Sequence, residues 1–126
     1  EKLKTIPGIG KILALTIMYE TVDINRFTAP GNYVSYCRCV KSVHTSNGKK
    51  KGEGNRKNGN RYLSWAYIEA AHYATGCCEP AKKFYQRKLA KRNGAVARKA
   101  LASKLCRAAY YIMRDQSEFD VRKLFG

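Results

Sequence analysis

The sequence NRYLSWAYIEAAHYATG, residues 60–76, contains a start signal, an apolar stripe and a stop signal for one helix. Asparagine is a preferred N-cap residue, so Asn60 predicts a helix that begins at Arg61. Glycine is common just after a helix end, so Gly76 predicts that this helix ends at Thr75. Apolar side chains recur at helical spacing on its predicted inner face: Leu63, Tyr67, Ala70, Ala71 and Ala74.

Two more helices are predicted after this one. The first runs from Pro80 to Arg92 and ends at Asn93-Gly94. Its predicted inward residues are Phe84, Tyr85 and Leu89, and its predicted outward residues are Lys82, Lys83, Arg87, Lys88 and Lys91. The second runs from Ala95 to Asp115, with apolar spacing at Ala97, Leu101, Leu105, Ala108 and Ile112. Three helices with short links predict a compact, mostly α domain, in which Tyr67, Tyr73, Tyr110 and Tyr111 belong to the core or its rim.

Residues 5–20 form a predicted hairpin-helix motif. The turn TIPGIG, residues 5–10, is followed by a predicted helix from Lys11 to Glu20 whose inner face holds Ile12, Leu13, Thr16, Ile17 and Glu20. Glycine amides at a helix start, beside a lysine, can bind a phosphate. Gly8, Gly10 and Lys11 are therefore candidate nucleic-acid contacts, as in the hairpin of a helix-hairpin-helix module. The alternative is that the turn only leads the chain into a buried helix.

Two weaker local patterns follow the hairpin. Thr28-Ala-Pro-Gly31 predicts the start of a short helix that ends at Tyr36 and is anchored by Tyr33, Val34 and Tyr36. Residues 40–43 are expected to be extended. The fold is therefore predicted to be helical on both sides of a central loop.

That loop, residues 44–63, reads HTSNGKKKGEGNRKNGNRYL. It holds four glycines, four asparagines and six Lys or Arg residues against the single acid Glu53, so we expect it to be mobile and to meet a polyanion. Its candidate nucleic-acid contacts are Lys49, Lys50, Lys51, Arg56, Lys57, Asn60 and Arg61. Ser46 stands at its head, either as an ordinary turn residue or as a nucleophile.

Composition supports a nucleic-acid partner. The chain has 25 Lys and Arg against 9 Asp and Glu, a net charge of +16. Residues 80–114 contain eleven of these cations and no acid, which favours a phosphate backbone. No apolar run approaches the roughly 20 residues that span a bilayer, so a membrane is the weaker option. The chain starts at Glu1 without an initiator methionine, so we expect a single domain, residues 1–126, from a longer protein.

Five cysteines form no disulfide framework, which favours a reducing cytoplasm. Cys37-x-Cys39 and Cys77-Cys78 match no CxxC zinc knuckle, so we predict no metal site in this domain. The acids Asp23, Glu53, Glu69 and Glu79 are scattered singly along the chain. We therefore expect no cofactor bound by these residues.

The order of the motifs resembles a known family. In chain order, the motifs are the turn IPGIG, a helix ending at Glu20, Asn25-Arg26-Phe27, residues 36–42, Ser46 with a nearby glycine, and Lys57 to Leu63 before an alanine-rich helix. Together they are similar to the C-terminal transposase domain of the insertion sequence 110/116/902 type. The Piv DNA invertase is similar to this family as well. The resemblance covers residues 3–115. Two segments depart from the family pattern, Arg38 to Lys41 and Asn47 between Ser46 and Gly48.

The resemblance implies that Ser46 attacks a DNA phosphodiester and forms a phosphoserine link, and that Lys57, Gly59, Asn60 and Arg61 form a basic turn into the next helix. It also implies an N-terminal RuvC-like domain, absent from this sequence, that binds Mg²⁺. DNA is the implied partner, a structured guide RNA is a further one, and the intact protein is expected to be a homo-oligomer. The implied setting is the prokaryotic cytoplasm, on the nucleoid.

Two function classes remain open from the sequence. One is a transposase or site-specific recombinase domain, inefficient without its partner domain, with Ser46 as nucleophile and His44 as the nearest base. The other is a non-catalytic nucleic-acid-binding module built on the PGIG hairpin and basic helices, in which His44 contacts a phosphate or solvent. Both predict binding that weakens steeply with salt.

Overall fold

The computed structural model describes residues 2–39, 59–91 and 93–125. Every regular element in these ranges is helical, which confirms the mostly α prediction. The α-helices are α1 (Lys11–Thr21), α2 (Pro30–Tyr36), α3 (Arg61–Cys77), α4 (Glu79–Lys91), α5 (Gly94–Asp115) and α6 (Val121–Phe125). Short 3-10 helices precede and follow α1, at Lys2–Thr5 and Ile24–Arg26. The predicted extended segment and most of the predicted loop lie outside the described residues.

Helix α5 is the centre of the fold. It packs against α2, α3 and α4, while α1 packs on α3 and α6 packs on α4. Apolar residues that recur along α5 are fully buried: Ala97, Leu101, Ala102, Leu105, Cys106 and Ala109. Their burial supplies the main driving force for docking the other helices. None of the described helices is both long and apolar enough to cross a membrane.

The capping prediction at Asn60 is confirmed, whereas the prediction that α3 ends before Gly76 is wrong by two residues. The Asn60 side chain accepts hydrogen bonds from the backbone N–H groups of Tyr62 and Leu63. Helix α3 continues through Gly76 to Cys77, because Cys78 N–H still bonds the Ala74 carbonyl. Helix α4 ends at Lys91, just before the predicted stop signal Asn93-Gly94. Asn93 also caps α5, its side chain accepting from Val96 N–H at 2.9 Å.

Helix α1 buries a different face from the one predicted. Leu13 and Ile17 are buried as expected, but Ile12 is 73% exposed, and Ala14 and Thr21 take the remaining inner positions. The helix is apolar on all sides, so spacing alone could not identify the face that meets α3. In α4, Phe84 is buried and Tyr85 half-buried as predicted, but Leu89 is 40% exposed because it lies in the last turn, beyond the packed centre of the helix.

A chain of buried hydroxyls joins α1, α2 and α3. The Tyr33 hydroxyl lies 2.8 Å from Thr21 Oγ1 and 2.9 Å from the Tyr67 hydroxyl. Burial raises the pKa of both tyrosines well above the ordinary value of 10.0. Both rings therefore stay neutral, and each hydroxyl can donate or accept within the core. Cys37, Cys39 and Cys106 are buried nearby as free thiols.

Candidate nucleic-acid interface

Asn60 holds together the residues that follow the central loop. Besides capping α3, its N–H donates to the Tyr36 carbonyl at 2.7 Å. Its side-chain amide donates to Glu20 Oε1 at 2.9 Å. One residue therefore ties the start of α3 to the ends of α1 and α2, which fixes the direction in which the chain leaves residue 59.

The other side of the loop is fixed by the end of α2. Arg38 N–H bonds the Ser35 carbonyl and Cys39 N–H bonds the Val34 carbonyl, both at 3.0 Å. This pair of bonds is the Schellman arrangement, whose central residue adopts the left-handed conformation that glycine favours. Here the central residue is Arg38, with φ at 59°.

The Arg38 side chain packs against Gly59. We call this junction of the end of α2 with the start of α3, on either side of the central loop, the loop mouth. A Cβ atom added to Gly59 would lie 2.4 Å from Arg38 Cγ and 2.8 Å from Arg38 Nε. Only glycine fits at residue 59 with this arginine in place. Arg38 and Gly59, which lie next to the two ends of the undescribed segment 40–58, are therefore held close together.

Two more arginines surround this mouth. The Arg26 guanidinium lies 5.1 Å from the centre of the Phe27 ring and 5.2 Å from the centre of the Tyr36 ring, and it donates to the Thr21 carbonyl at 2.8 Å. Arg61 is exposed and donates to the Tyr62 hydroxyl at 3.4 Å, which raises its pKa further. Stacking and hydrogen bonding hold both guanidinium groups in place while leaving donors available to an anion.

The hairpin glycines have different environments. Gly8 has φ at 90°, and an added Cβ would lie 2.1 Å from the Ala70 carbonyl oxygen of α3. The Gly8 backbone therefore lies directly against α3. This supports the alternative that the turn leads the chain into a packed helix. Gly10 is extended at φ −96° and caps α1 without a side-chain hydrogen bond, and Lys11 beside it is exposed. The first arm of the motif is a single 3-10 turn, Lys2–Thr5, in the described residues.

A cleft of about 500 Å³ opens between this turn and α3. It is lined by Gly10, Lys11 and Ile12 on one side and by Trp65, Glu69 and Tyr73 on the other. Trp65 and Tyr73 are half-exposed and lie at the rim, as expected for Tyr73. No sequence motif points to Trp65, because its neighbours in the cleft come from a distant segment of the chain.

Helix α4 presents a basic outer face. The five cations predicted to point outward are exposed: Lys82, Lys83, Arg87, Lys88 and Lys91. Within the described ranges the only side-chain ion pair joins Arg114 to Asp115, on α5, so the α4 cations are not neutralised there. Lys104 on α5 differs, because it donates to the Leu124 carbonyl at 3.1 Å and serves to hold α6.

The structure separates the predicted contacts into two groups. Asn60 and Arg61 are at the loop mouth, near Glu20, whereas Gly8, Gly10 and Lys11 are at the opposite end of α1. Nine residues of helix place these groups about 14 Å apart. Seven other candidates lie outside the described residues: His44, Ser46, Lys49, Lys50, Lys51, Arg56 and Lys57.

Arg38, Arg26 and Glu20 are members of the mouth that sequence reasoning did not identify. Glu20 was predicted only as an inner-face residue, and Arg38 only as a departure from a family pattern. No group of three or more His, Cys, Asp or Glu side chains that could hold a metal ion occurs within residues 2–39, 59–91 and 93–125.

Comparison with known families gives one match. The sequence model described as transposase, IS116/IS110/IS902 family, matches residues 1–86, which include the hairpin, Ser46 and the loop mouth. The chain matches no curated protein and no solved structure.

Proposed function

Because the chain belongs to the IS116/IS110/IS902 transposase family, we propose that it is the DNA-recombination domain of a transposase and that Ser46 is its nucleophile. The observation that supports this most strongly is the family match itself, since the matched range, residues 1–86, includes Ser46 and both of its flanks. The net charge of +16 supports DNA as the substrate.

The proposed reaction is a phosphoryl transfer to serine. The Ser46 oxygen attacks a DNA phosphorus, the bond from phosphorus to one deoxyribose oxygen breaks, and that oxygen leaves as a hydroxyl after taking up a proton. The proton lost by Ser46 passes to a base, for which His44 is the nearest candidate in the sequence. Attack by a hydroxyl of another strand on the phosphoserine then releases Ser46 and joins the strands.

The loop mouth supports this proposal through its geometry. The contact between Arg38 and Gly59 and the bond from Asn60 to Tyr36 hold together the two residues from which segment 40–58 departs. In this proposal, Arg26, Arg38 and Arg61 act on the DNA phosphate that Ser46 attacks. Guanidinium groups near a phosphate stabilise the negative charge that develops in phosphoryl transfer.

The basic face of α4 and the Lys11 end of α1 provide the remaining DNA contacts in this proposal. Neither surface selects a base sequence, because exposed cations bind the phosphate backbone. A RuvC-like partner domain, a guide RNA and a homo-oligomer are further parts of the proposal that rest on the family resemblance.

The test is the capture of the covalent intermediate in the intact protein. We expect wild-type protein to form a protein–DNA adduct that survives denaturation, with the phosphate located on Ser46 by peptide mapping. Ser46→Ala should abolish the adduct, while Ser42→Ala and Thr45→Ala, which remove neighbouring hydroxyls, should retain it.

Two results would count against the proposal in different ways. An adduct that persists in Ser46→Ala would exclude Ser46 as the nucleophile. A wild-type protein that binds DNA in a salt-dependent way, yet yields neither adduct nor strand exchange, would instead support the non-catalytic binding module.

A further inference from the structure

Arg38 has a backbone conformation that is unfavourable for an arginine. The residue at the centre of a Schellman turn is usually glycine, because a Cβ atom is disfavoured in the left-handed region. Arg38 adopts this conformation with φ at 59°. A glycine there would keep both turn hydrogen bonds and relieve the strain, so the turn itself does not require an arginine.

The Arg38 side chain adds a second unfavourable feature. Its Nε atom is buried and has no hydrogen-bond partner in the part of the chain that the structure describes. A buried charged donor without a partner destabilises a folded protein. The side chain also restricts residue 59 to glycine, since any Cβ there would overlap Arg38 Cγ.

The surroundings of Arg38 match one class of ligand. Arg26 and Arg61 are exposed close to the same junction of α2 and α3, and the Glu20 carboxylate accepts a hydrogen bond from Asn60. A planar guanidinium with unused donors binds phosphate oxygens in a two-pronged geometry that lysine cannot reproduce. A residue held in a strained backbone conformation that its turn does not require is typical of a functional site.

We propose that Arg38 binds a phosphodiester oxygen of the nucleic-acid backbone at the loop mouth through its guanidinium group. This inference rests on the proposed function, in so far as that function requires nucleic-acid binding. It adds a contact residue, and it predicts that stability and binding respond in opposite directions to the same substitution.

The decisive variant is Arg38→Gly in the 126-residue chain. We expect its urea midpoint to rise, because the strain and the unpartnered donor are removed together. Its affinity for a 20-base-pair DNA duplex should fall about tenfold, and the slope of log affinity against log salt should become shallower by about one.

Two further variants serve as controls. Lys4→Gln removes one exposed charge from the first 3-10 turn, and should change affinity less than twofold with no gain in stability. Arg38→Lys keeps the positive charge and the backbone strain but loses the two-pronged geometry of the guanidinium. We therefore expect intermediate affinity and no rise in the urea midpoint. A hairpin RNA, measured in parallel with the duplex, distinguishes the two sources of phosphodiester.

A loss of affinity for DNA, for RNA or for both supports the proposal and identifies the ligand. Unchanged affinity for both in Arg38→Gly, or a loss no larger than that of Lys4→Gln, would overturn it. A lower urea midpoint in Arg38→Gly would make Arg38 a structural residue and overturn it as well. Failure of the wild-type chain to bind either nucleic acid would reject the binding function itself, whereas the preceding outcomes reject only the role of Arg38.

Discussion

Asn60 shows how much a single side chain can determine at the loop mouth. Its oxygen caps α3, its amide nitrogen binds Glu20, and its backbone N–H binds Tyr36. These three groups of Asn60 bond to three different elements, so no one replacement preserves all of its contacts. The capping role was predictable because asparagine is a common cap, whereas the link to Glu20, forty residues away, has no local sequence signal.

Replacement of Asn60 separates its two side-chain roles. Asn60→Ala removes the cap and the Glu20 bond, and we expect it to lower the free energy of unfolding by about 2 kcal/mol. Asn60→Asp keeps the capping oxygen but places a second carboxylate beside Glu20, so the expected loss is about 1 kcal/mol. Urea denaturation measures both, and equal losses in the two variants would mean that the Glu20 contact determines the effect.

Gly8 is the second residue whose role is clear from geometry. A methyl group there would overlap the Ala70 carbonyl, and the φ of 90° is unfavourable for alanine. We expect Gly8→Ala to lower the free energy of unfolding by about 3 kcal/mol.

Gly10→Ala is the matched control, since nothing lies within 4 Å of its added Cβ. It should cost less than about 1 kcal/mol in the same thermal or urea measurement. If the two variants are equally stable, the Gly8 turn is not pressed against α3 in solution.

At the scale of elements, the regular spacing of apolar residues predicted the helices that form the core. The predicted bounds of α3, α4 and α5 agree with the structure within two residues. Buried apolar residues recur at helical spacing in the two longest helices, as Leu63 and Tyr67 do in α3 and Leu101 and Leu105 do in α5. The inner face of α1 could not be predicted, since its outward residues are also apolar: Ile12, Leu15, Met18 and Tyr19. The Arg38 turn could not be predicted either, because arginine carries no preference for a left-handed backbone.

Two identical substitutions test the orientation of α1. Ile17 is fully buried and Ile12 is largely exposed, although both lie in one helix. We expect Ile17→Ala to lower the free energy of unfolding by about 3 kcal/mol, and Ile12→Ala to change it by less than about 0.5 kcal/mol. Thermal denaturation followed by circular dichroism compares them, and the reverse order would place the other face against α3.

For the molecule as a whole, the family match ends at an earlier residue than the folded unit does. The match ends at residue 86, yet α5 follows it and packs against three of the helices before it. Burial of Leu101, Leu105 and Tyr110 completes the core around Tyr33 and Tyr67. The residues that the family model matches are therefore only part of the folded unit.

Truncation tests this folding unit. A chain that ends after residue 91 lacks α5, and we expect it to show no cooperative thermal unfolding, because the apolar faces of α2, α3 and α4 lose their common partner. A chain that ends after residue 117 lacks only α6, whose main contacts are with α4, and should remain folded with a lower midpoint. Cooperative unfolding of the shorter chain would contradict the central role of α5.

Alkaline pH should destabilise the whole molecule through its buried tyrosines. Burial raises the pKa of Tyr33 and Tyr67 well above 10.0, so the folded state keeps protons that the unfolded state releases. Their contribution is fully present below pH 10 and declines above it, by about 1.4 kcal/mol per pH unit for each ring. We expect the urea midpoint to fall above about pH 10 and to fall less steeply in Tyr67→Phe; equal slopes would exclude this cause.

The buried hydroxyl chain also bears on what happens when the backbone is cut. Thr21 and Tyr33 precede residues 40–58, whereas Tyr67 follows them, so both halves of the polypeptide contribute to one interior. Proteolytic cleavage within that stretch would leave two peptides that share a core and therefore stay associated. Separately synthesised halves should then reassemble without a covalent link, which would make the protein a natural candidate for fragment complementation.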